Sequence, residues 1–178
     1  MSNKRSSRRS SKVSPLFILF IITAAAAGLT ALFFYFLPVL SVKVLGHTAN
    51  TSLGQIGGEV FKSHEILGKE ASKWGAMRAE LVLLYILTIV FIAASAYKFF
   101  AGENLKRPLS IISAAVFLLF IIVFISLMSN YNNIFAADSV FIDFDKAFKN
   151  AGAGLTMSIF FAVIGCLSSI VEIVLSGK

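Results

Sequence analysis

The apolar run LVLLYILTIVFIAASAYKFF (Leu81–Phe100), the polar turn AGENLKRP (Ala101–Pro108) and the apolar run LSIISAAVFLLFIIVFISLM (Leu109–Met128) decide the fold. Each run is close to the ~20 residues a helix needs to cross a hydrocarbon core. In lipid, backbone polar groups must be satisfied inside the segment, so such runs are read as helices. A turn this short makes the two a transmembrane hairpin. The second run has no charge, and the first has only Lys98, near its end.

Two further blocks of the same kind flank this hairpin. The expected spans are residues 16–37, 81–100, 109–128 and 153–175, with outer loops at 38–78 and 129–151. The fold class that follows is an all-α membrane protein built as a four-transmembrane-helix bundle. The chain of 178 residues is 57% hydrophobic and 14% charged, with a mean hydropathy of +0.85. Soluble domains carry about 25% charged residues. No polar stretch is long enough to bury a core of its own, so residues 15–178 are expected to form one transmembrane domain.

The net charge is +7. Its placement points to lipid rather than nucleic acid. Lys4, Arg5, Arg8, Arg9 and Lys12 lie in a Ser-rich segment, residues 1–14, without an acid among them. Such a segment is expected to be a disordered cytoplasmic tail beside anionic headgroups. The run from Leu16 to Leu37 is too long for the apolar region of a cleaved signal, so it reads as a retained anchor. Orientation follows from Lys and Arg near span ends. The tail, Lys98, Lys106, Arg107 and Lys178 cluster on one side, while seven positive residues are spread through the longer opposite loops beside seven of the nine acids. Both termini are therefore expected inside a cell membrane.

In the first outer loop, Val39–Leu45 is rich in β-branched residues and reads as a short strand. Gly46, Gly54, Gly57 and Gly58 are expected to break regular structure after it. A helix is expected over Glu59–Arg78, with Val60, Leu67 and Trp74 on one face, lying over the membrane surface or the mouth of the bundle. Pro108 is expected to open the third span. Small residues at Ala24–Gly28, Ala94–Ser95, Ser113–Ala115 and Gly165–Ser169 suit close helix packing. The hydroxyls of Thr23, Thr30, Thr88, Ser126, Ser158 and Ser168 are expected to bond their own helix backbones.

Candidate chemistry is sparse. His47 and His64 in the first outer loop, 17 residues apart and without cysteine, do not make a metal site. Asp138, Asp143 and Asp145 lack the ordered oxygen ligands of a calcium loop. Cys166 stands alone, and no catalytic motif is present, so neither enzymatic activity nor a cofactor is expected. Glu172 stands out, because an acid within a span is a functional candidate by default. Lys98, Lys106 and Arg107 are its nearest candidate partners, but an interfacial carboxylate reaching headgroup water is the preferred reading. His47, His64 and Trp74 mark a candidate interaction surface.

A basic tail, a first span ending in Phe36-Leu-Pro-Val-Leu-Ser41, a Gly-rich first outer loop, a short inner hairpin and a last span entered through Gly152-Ala-Gly-Leu155 make up the whole chain. This layout resembles the small uncharacterised four-span proteins of bacterial membranes, whose topology is similar to that of claudins and related tetraspan proteins. The resemblance implies a four-span topology and transfers no functional residues. The Gly-Leu-Trp and cysteine pair of claudins are missing here, so it implies no junction-forming role. The function expected is that of an accessory, scaffold or interaction subunit of the cell envelope, binding anionic lipid and a protein partner or a second copy of itself. The alternative is a small channel or transporter.

Overall fold

The computed structural model describes residues 14–44, 47–61, 69–132, 148 and 150–176. The tail residues Lys4, Arg5, Arg8, Arg9 and Lys12, His64, and the acids Asp138, Asp143 and Asp145 lie outside the described residues. The elements in chain order are α1 (Pro15–Phe36), β1 (Pro38–Val44), β2 (His47–Ser52), α2 (Leu53–Phe61), α3 (Lys69–Tyr97), α4 (Glu103–Asn132) and α5 (Ala153–Leu175). Four of the helices are long and apolar enough to cross a membrane. The shortest of them, α1, has 22 residues and a length of about 33 Å, enough for a ~30 Å hydrocarbon core. The chain is an integral membrane protein with a four-helix core.

The helices pack in a ring, α3 on α4, α4 on α5, α5 on α1 and α1 back on α3. Their buried positions show why. On α3 the fully buried residues are Met77, Leu81, Leu84, Thr88, Phe91, Ser95 and Lys98, alternating by four and three. Ser110, Ser113, Phe117, Phe120, Phe124 and Leu127 do the same on α4, and Leu155, Ser158, Ala162, Gly165, Ser169 and Glu172 on α5. On α1 the stripe is Phe20, Thr23, Ala27, Thr30 and Phe34. A repeat of 3.5 residues drifts slowly around an α-helix, so helices that keep it facing one another adopt left-handed, coiled-coil-like packing.

The middle of the bundle is aromatic. Phe91 stacks on Phe117 with centroids 4.8 Å apart, and Phe34 meets Phe120 and Phe124 edge-on at 5.3 and 5.2 Å. Gly165 makes room for Phe117, whose ring atoms lie under 3 Å from where a Cβ would stand. Gly28 does not serve this purpose; it is exposed, and Ala26 and Ala27 face the core instead.

At one end, the hairpin end, β1 and β2 pair antiparallel from Pro38↔Ser52 to Val44↔His47. Pro38 stops α1 by holding Leu37 extended (φ −98°, ψ 153°). The far edge of β1 is partly covered by the approach to α5, through Ser41 N–H to the Asn150 carbonyl and Gly152 N–H to the Val39 carbonyl, both 2.9 Å. The strand expected at Val39–Leu45 thus has a partner, β2, that was not anticipated.

Three further expectations need correction. Gly54, Gly57 and Gly58 do not break structure but lie inside α2. Ser52 and Gln55 cap that helix, the Gln55 side chain accepting from the Ser52 N–H at 2.8 Å and the Ser52 hydroxyl facing the Gln55 N–H at 3.4 Å. Leu53, Ile56 and Val60 then bury one face. Of the helix expected over Glu59–Arg78, Glu59–Phe61 belongs to α2 and Lys69–Arg78 to the first turns of α3, while residues 62–68, with Leu67, lie outside the described residues. Met77 and Leu81 continue one buried stripe, so the helix runs on into the span, and Arg78 Nε donates to the Val60 carbonyl at the end of α2 (2.8 Å). Finally, α4 begins at Glu103, which places Pro108 in its second turn rather than at its start. The acid in the first turn suits the helix dipole.

Candidate functional site

At the opposite end, the terminal end, lie the start of α1, the turn between α3 and α4, and the end of α5. Lys98 follows the last residue of α3 and continues its buried stripe. Glu172 ends the stripe of α5. Their side chains meet at 2.7 Å, both fully buried. The expectation that Glu172 reaches headgroup water is overturned: a heptad stripe carries it to the bundle axis.

The carboxylate is held on all sides. Oε2 accepts from Lys98 Nζ and from the Ser110 hydroxyl at 2.6 Å, and Oε1 accepts from the Thr23 hydroxyl at 2.5 Å. Ser168 adds a further link. Its oxygen is 2.9 Å from that of Thr23. The Thr23 hydroxyl thus faces both Glu172 and Ser168, and the Ser168 hydroxyl donates in turn to the Leu19 carbonyl of α1 at 3.3 Å. The site therefore joins α1, the α3–α4 turn, α4 and α5. An isolated charge in this setting costs several kcal/mol, and the compensation is a close counter-ion with the remaining lone pairs hydrogen-bonded.

One turn deeper, the stripes of α3, α4 and α5 carry Ser95, Ser113 and Ser169. All three are buried, and among the described residues their hydroxyls have no hydrogen-bond partner. Below them the stacked Phe91 and Phe117 close the axis. The charged pair therefore sits above a layer of small side chains and an aromatic plug, without a chain of hydrogen bonds running inward. This distinction is measurable. Ser110→Ala, which removes a donor to a charged group, is expected to destabilise by about 1.5–3 kcal/mol. Ser113→Ala removes a hydroxyl without a partner and is expected to be neutral or stabilising. Thermal unfolding of the two variants in one detergent reads the difference, and equal losses would contradict it.

The other sequence candidates are scattered. Lys106 pairs with Glu103 on the first turns of α4 and is partly exposed. Arg107 is exposed and is not drawn to Glu172. Trp74 is half-buried against the core at the hairpin end. His47 is exposed on β2. Among the described residues no group of three His, Cys, Asp or Glu gathers as metal ligands would.

Sequence reasoning missed the hydroxyl partners. Thr88 does bond its own helix, at the Leu84 carbonyl, but Thr23, Ser126, Ser158 and Ser168 reach across to other helices. Ser126 and Asn130 of α4 both donate to Glu80 of α3, at 2.6 and 2.9 Å, forming a second polar tie nearer the hairpin end. Position in the 3.5-residue stripe marks Thr23 and Ser158 as inward-facing, but it does not separate them from Thr88, which lies on the α3 stripe and bonds its own helix. Comparison with protein-family models, characterised proteins and solved structures finds no match for this chain.

Proposed function

We propose that this chain is a non-enzymatic accessory or scaffold subunit of a cell membrane that presents its hairpin end, residues 38–61, to a protein partner. The reading has both termini in the cytoplasm and the basic tail on anionic headgroups. The observation that carries it is the contrast between the two parts of the molecule. Inside, the Glu172 carboxylate is held by Lys98 and by the hydroxyls of Ser110 and Thr23, and the stacked Phe91 and Phe117 lie deeper along the axis. This favours a bundle that is held rather than one that conducts. Outside, His47–Asn50 of β2 is exposed and polar, mounted on a sheet anchored through buried Val39 and Leu40.

The test is purification of the tagged chain in a mild detergent. A stable partner is expected to accompany it and to be lost when residues 47–50 are replaced by a Gly/Ser stretch. A chain that runs alone as a monomer, and loses nothing on that replacement, overturns the reading. Ion flux through proteoliposomes well above that of empty vesicles would instead support the channel or transporter alternative.

A further inference from the structure

Beside the buried ion pair lies a cleft of about 310 Å3 between the start of α1 (Ser14, Phe17, Phe20), the α3–α4 turn (Lys98, Phe99) and the first turn of α4 (Glu103, Lys106). Two ammonium groups from different parts of the chain converge there. Lys98 Nζ is 6.0 Å from the centroid of the Phe20 ring, and Lys106 Nζ is 5.9 Å from it. An ammonium group has three N–H donors. Among the described residues Lys98 directs one of them to Glu172, and it lines the cleft while fully buried. The Lys98 side chain has no exposed surface, so the donor that the cleft presents to an incoming oxygen is the partly exposed Lys106 ammonium, with the Lys98 charge behind it.

The surroundings select the kind of anion. Among the described residues Lys106 is held by Glu103, whose side chain is 82% exposed, and such a surface pair is weak and readily exchanged. Phe17, which lines the cleft, is 47% exposed, and Phe100, next to the lining Phe99 in the turn, is 86% exposed; helix start and turn mark where the spans end. Aromatic side chains at that depth meet the boundary between headgroups and acyl chains. Oxygen acceptors and hydrocarbon are therefore called for in one molecule. We propose that this cleft binds the phosphodiester headgroup of an anionic phospholipid, with Lys106 exchanging Glu103 for its oxygens, the buried Lys98 adding its charge from behind, and the acyl chains lying against Phe17 and Phe99. The residues of this site are distinct from the tail cations Lys4, Arg5, Arg8, Arg9 and Lys12, for which attraction to anionic membranes is proposed through charge alone.

The experiment is native mass spectrometry of the full chain in a neutral detergent. The probes are phosphatidylglycerol, phosphatidylcholine with the same acyl chains, and inorganic phosphate. One phosphatidylglycerol is expected to be retained at least tenfold more strongly than phosphatidylcholine, with no comparable retention of phosphate. Lys106→Gln is expected to weaken retention about tenfold without lowering the melting temperature of the lipid-free protein. Glu103→Gln, which frees Lys106 from its competing carboxylate, is expected to strengthen it severalfold. A full-length chain with Lys4, Arg5, Arg8, Arg9 and Lys12 changed to Gln is expected to keep the preference. Equal retention of the two lipids, loss of the preference with the tail charges, or indifference to both the Lys106 and Glu103 changes would overturn the proposal. Phosphate retained as strongly as the lipid would assign the cleft to a soluble phosphate and overturn the lipid assignment.

Discussion

Glu172→Ala is expected to destabilise the bundle by about 3–5 kcal/mol, the cost of leaving a buried charge without its partner. Lys98 would keep its ammonium in a fully buried position, and Thr23 and Ser110 would lose the acceptor to which their hydroxyls point. Because those groups come from three different parts of the bundle, the loss loosens the whole terminal end. The partner change works in a different direction. Replacing both members together, Lys98→Met with Glu172→Leu, removes both charges, and such replacements of a buried pair are often neutral or stabilising. The double variant is therefore expected to melt above Glu172→Ala despite carrying one more substitution. Glu172→Gln, which retains oxygen for the hydroxyls but not the charge, is expected to fall between Glu172→Ala and the parent. Cys166 supplies a native reporter, since it is the sole cysteine and is half-buried, its thiol 3.6 Å from the Ala114 carbonyl. A thiol-reactive fluorophore follows its exposure on heating. A melting temperature for Glu172→Ala within a degree of the parent, or a double variant that melts below it, would show that the pair does not hold the helices together.

How far this pair was legible depends on which pattern is followed. Hydropathy alone finds the four spans, because uninterrupted apolar runs in lipid have only one backbone solution. It also marks Glu172 as unusual, but it cannot say which way the residue faces, since lipid and core are equally apolar. The direction is in the spacing. Reading back from Glu172 by threes and fours gives Ser169, Gly165, Ala162, Ser158 and Leu155, mostly small residues suited to a helix contact. Reading back from Lys98 gives Ser95, Phe91, Thr88, Leu84 and Leu81. Both charges end such stripes. Arg107 falls off the stripe of α4, which explains its exposure. The hairpin end was harder to read for a different reason. Three glycines in nine residues argue against α2 on propensity, yet the cap at Ser52–Gln55 and the burial of Leu53, Ile56 and Val60 outweigh a cost of about 1 kcal/mol each. β2 has no apolar alternation, because its first four residues face outward; only pairing with β1 identifies it.

Gly152→Val is expected to release the hairpin end while leaving the four spans folded. The glycine is not needed for its dihedral angles, which are ordinary at φ −83° and ψ 170°. It is needed for closeness. A Cβ at this position would overlap the carbonyl of Pro38 and stand 2.9 Å from the carbonyl carbon of Val39, and both are backbone atoms that no rotamer change can move. To admit the side chain, α5 and β1 must separate, which breaks the Gly152 N–H bond to Val39 and the bridge between Leu40 and Ala151. Overpacking of this kind costs about 1–3 kcal/mol. The loss is local, because the stripes from Leu155 to Glu172 stay in register, so amide hydrogen exchange should accelerate across 38–44 and 47–61 with little change in α3 or α4. Gly58→Ala makes the opposing control. No atom lies within 4 Å of its added methyl group, and alanine favours helix over glycine by up to about 1 kcal/mol, so exchange in α2 should slow. If the hairpin end carries the recognition surface, partner retention should fall with Gly152→Val and persist with Gly58→Ala. Unchanged exchange at 38–44 in Gly152→Val would mean that the sheet is not secured through α5, and retention of the partner by a released hairpin end would move the recognition surface elsewhere.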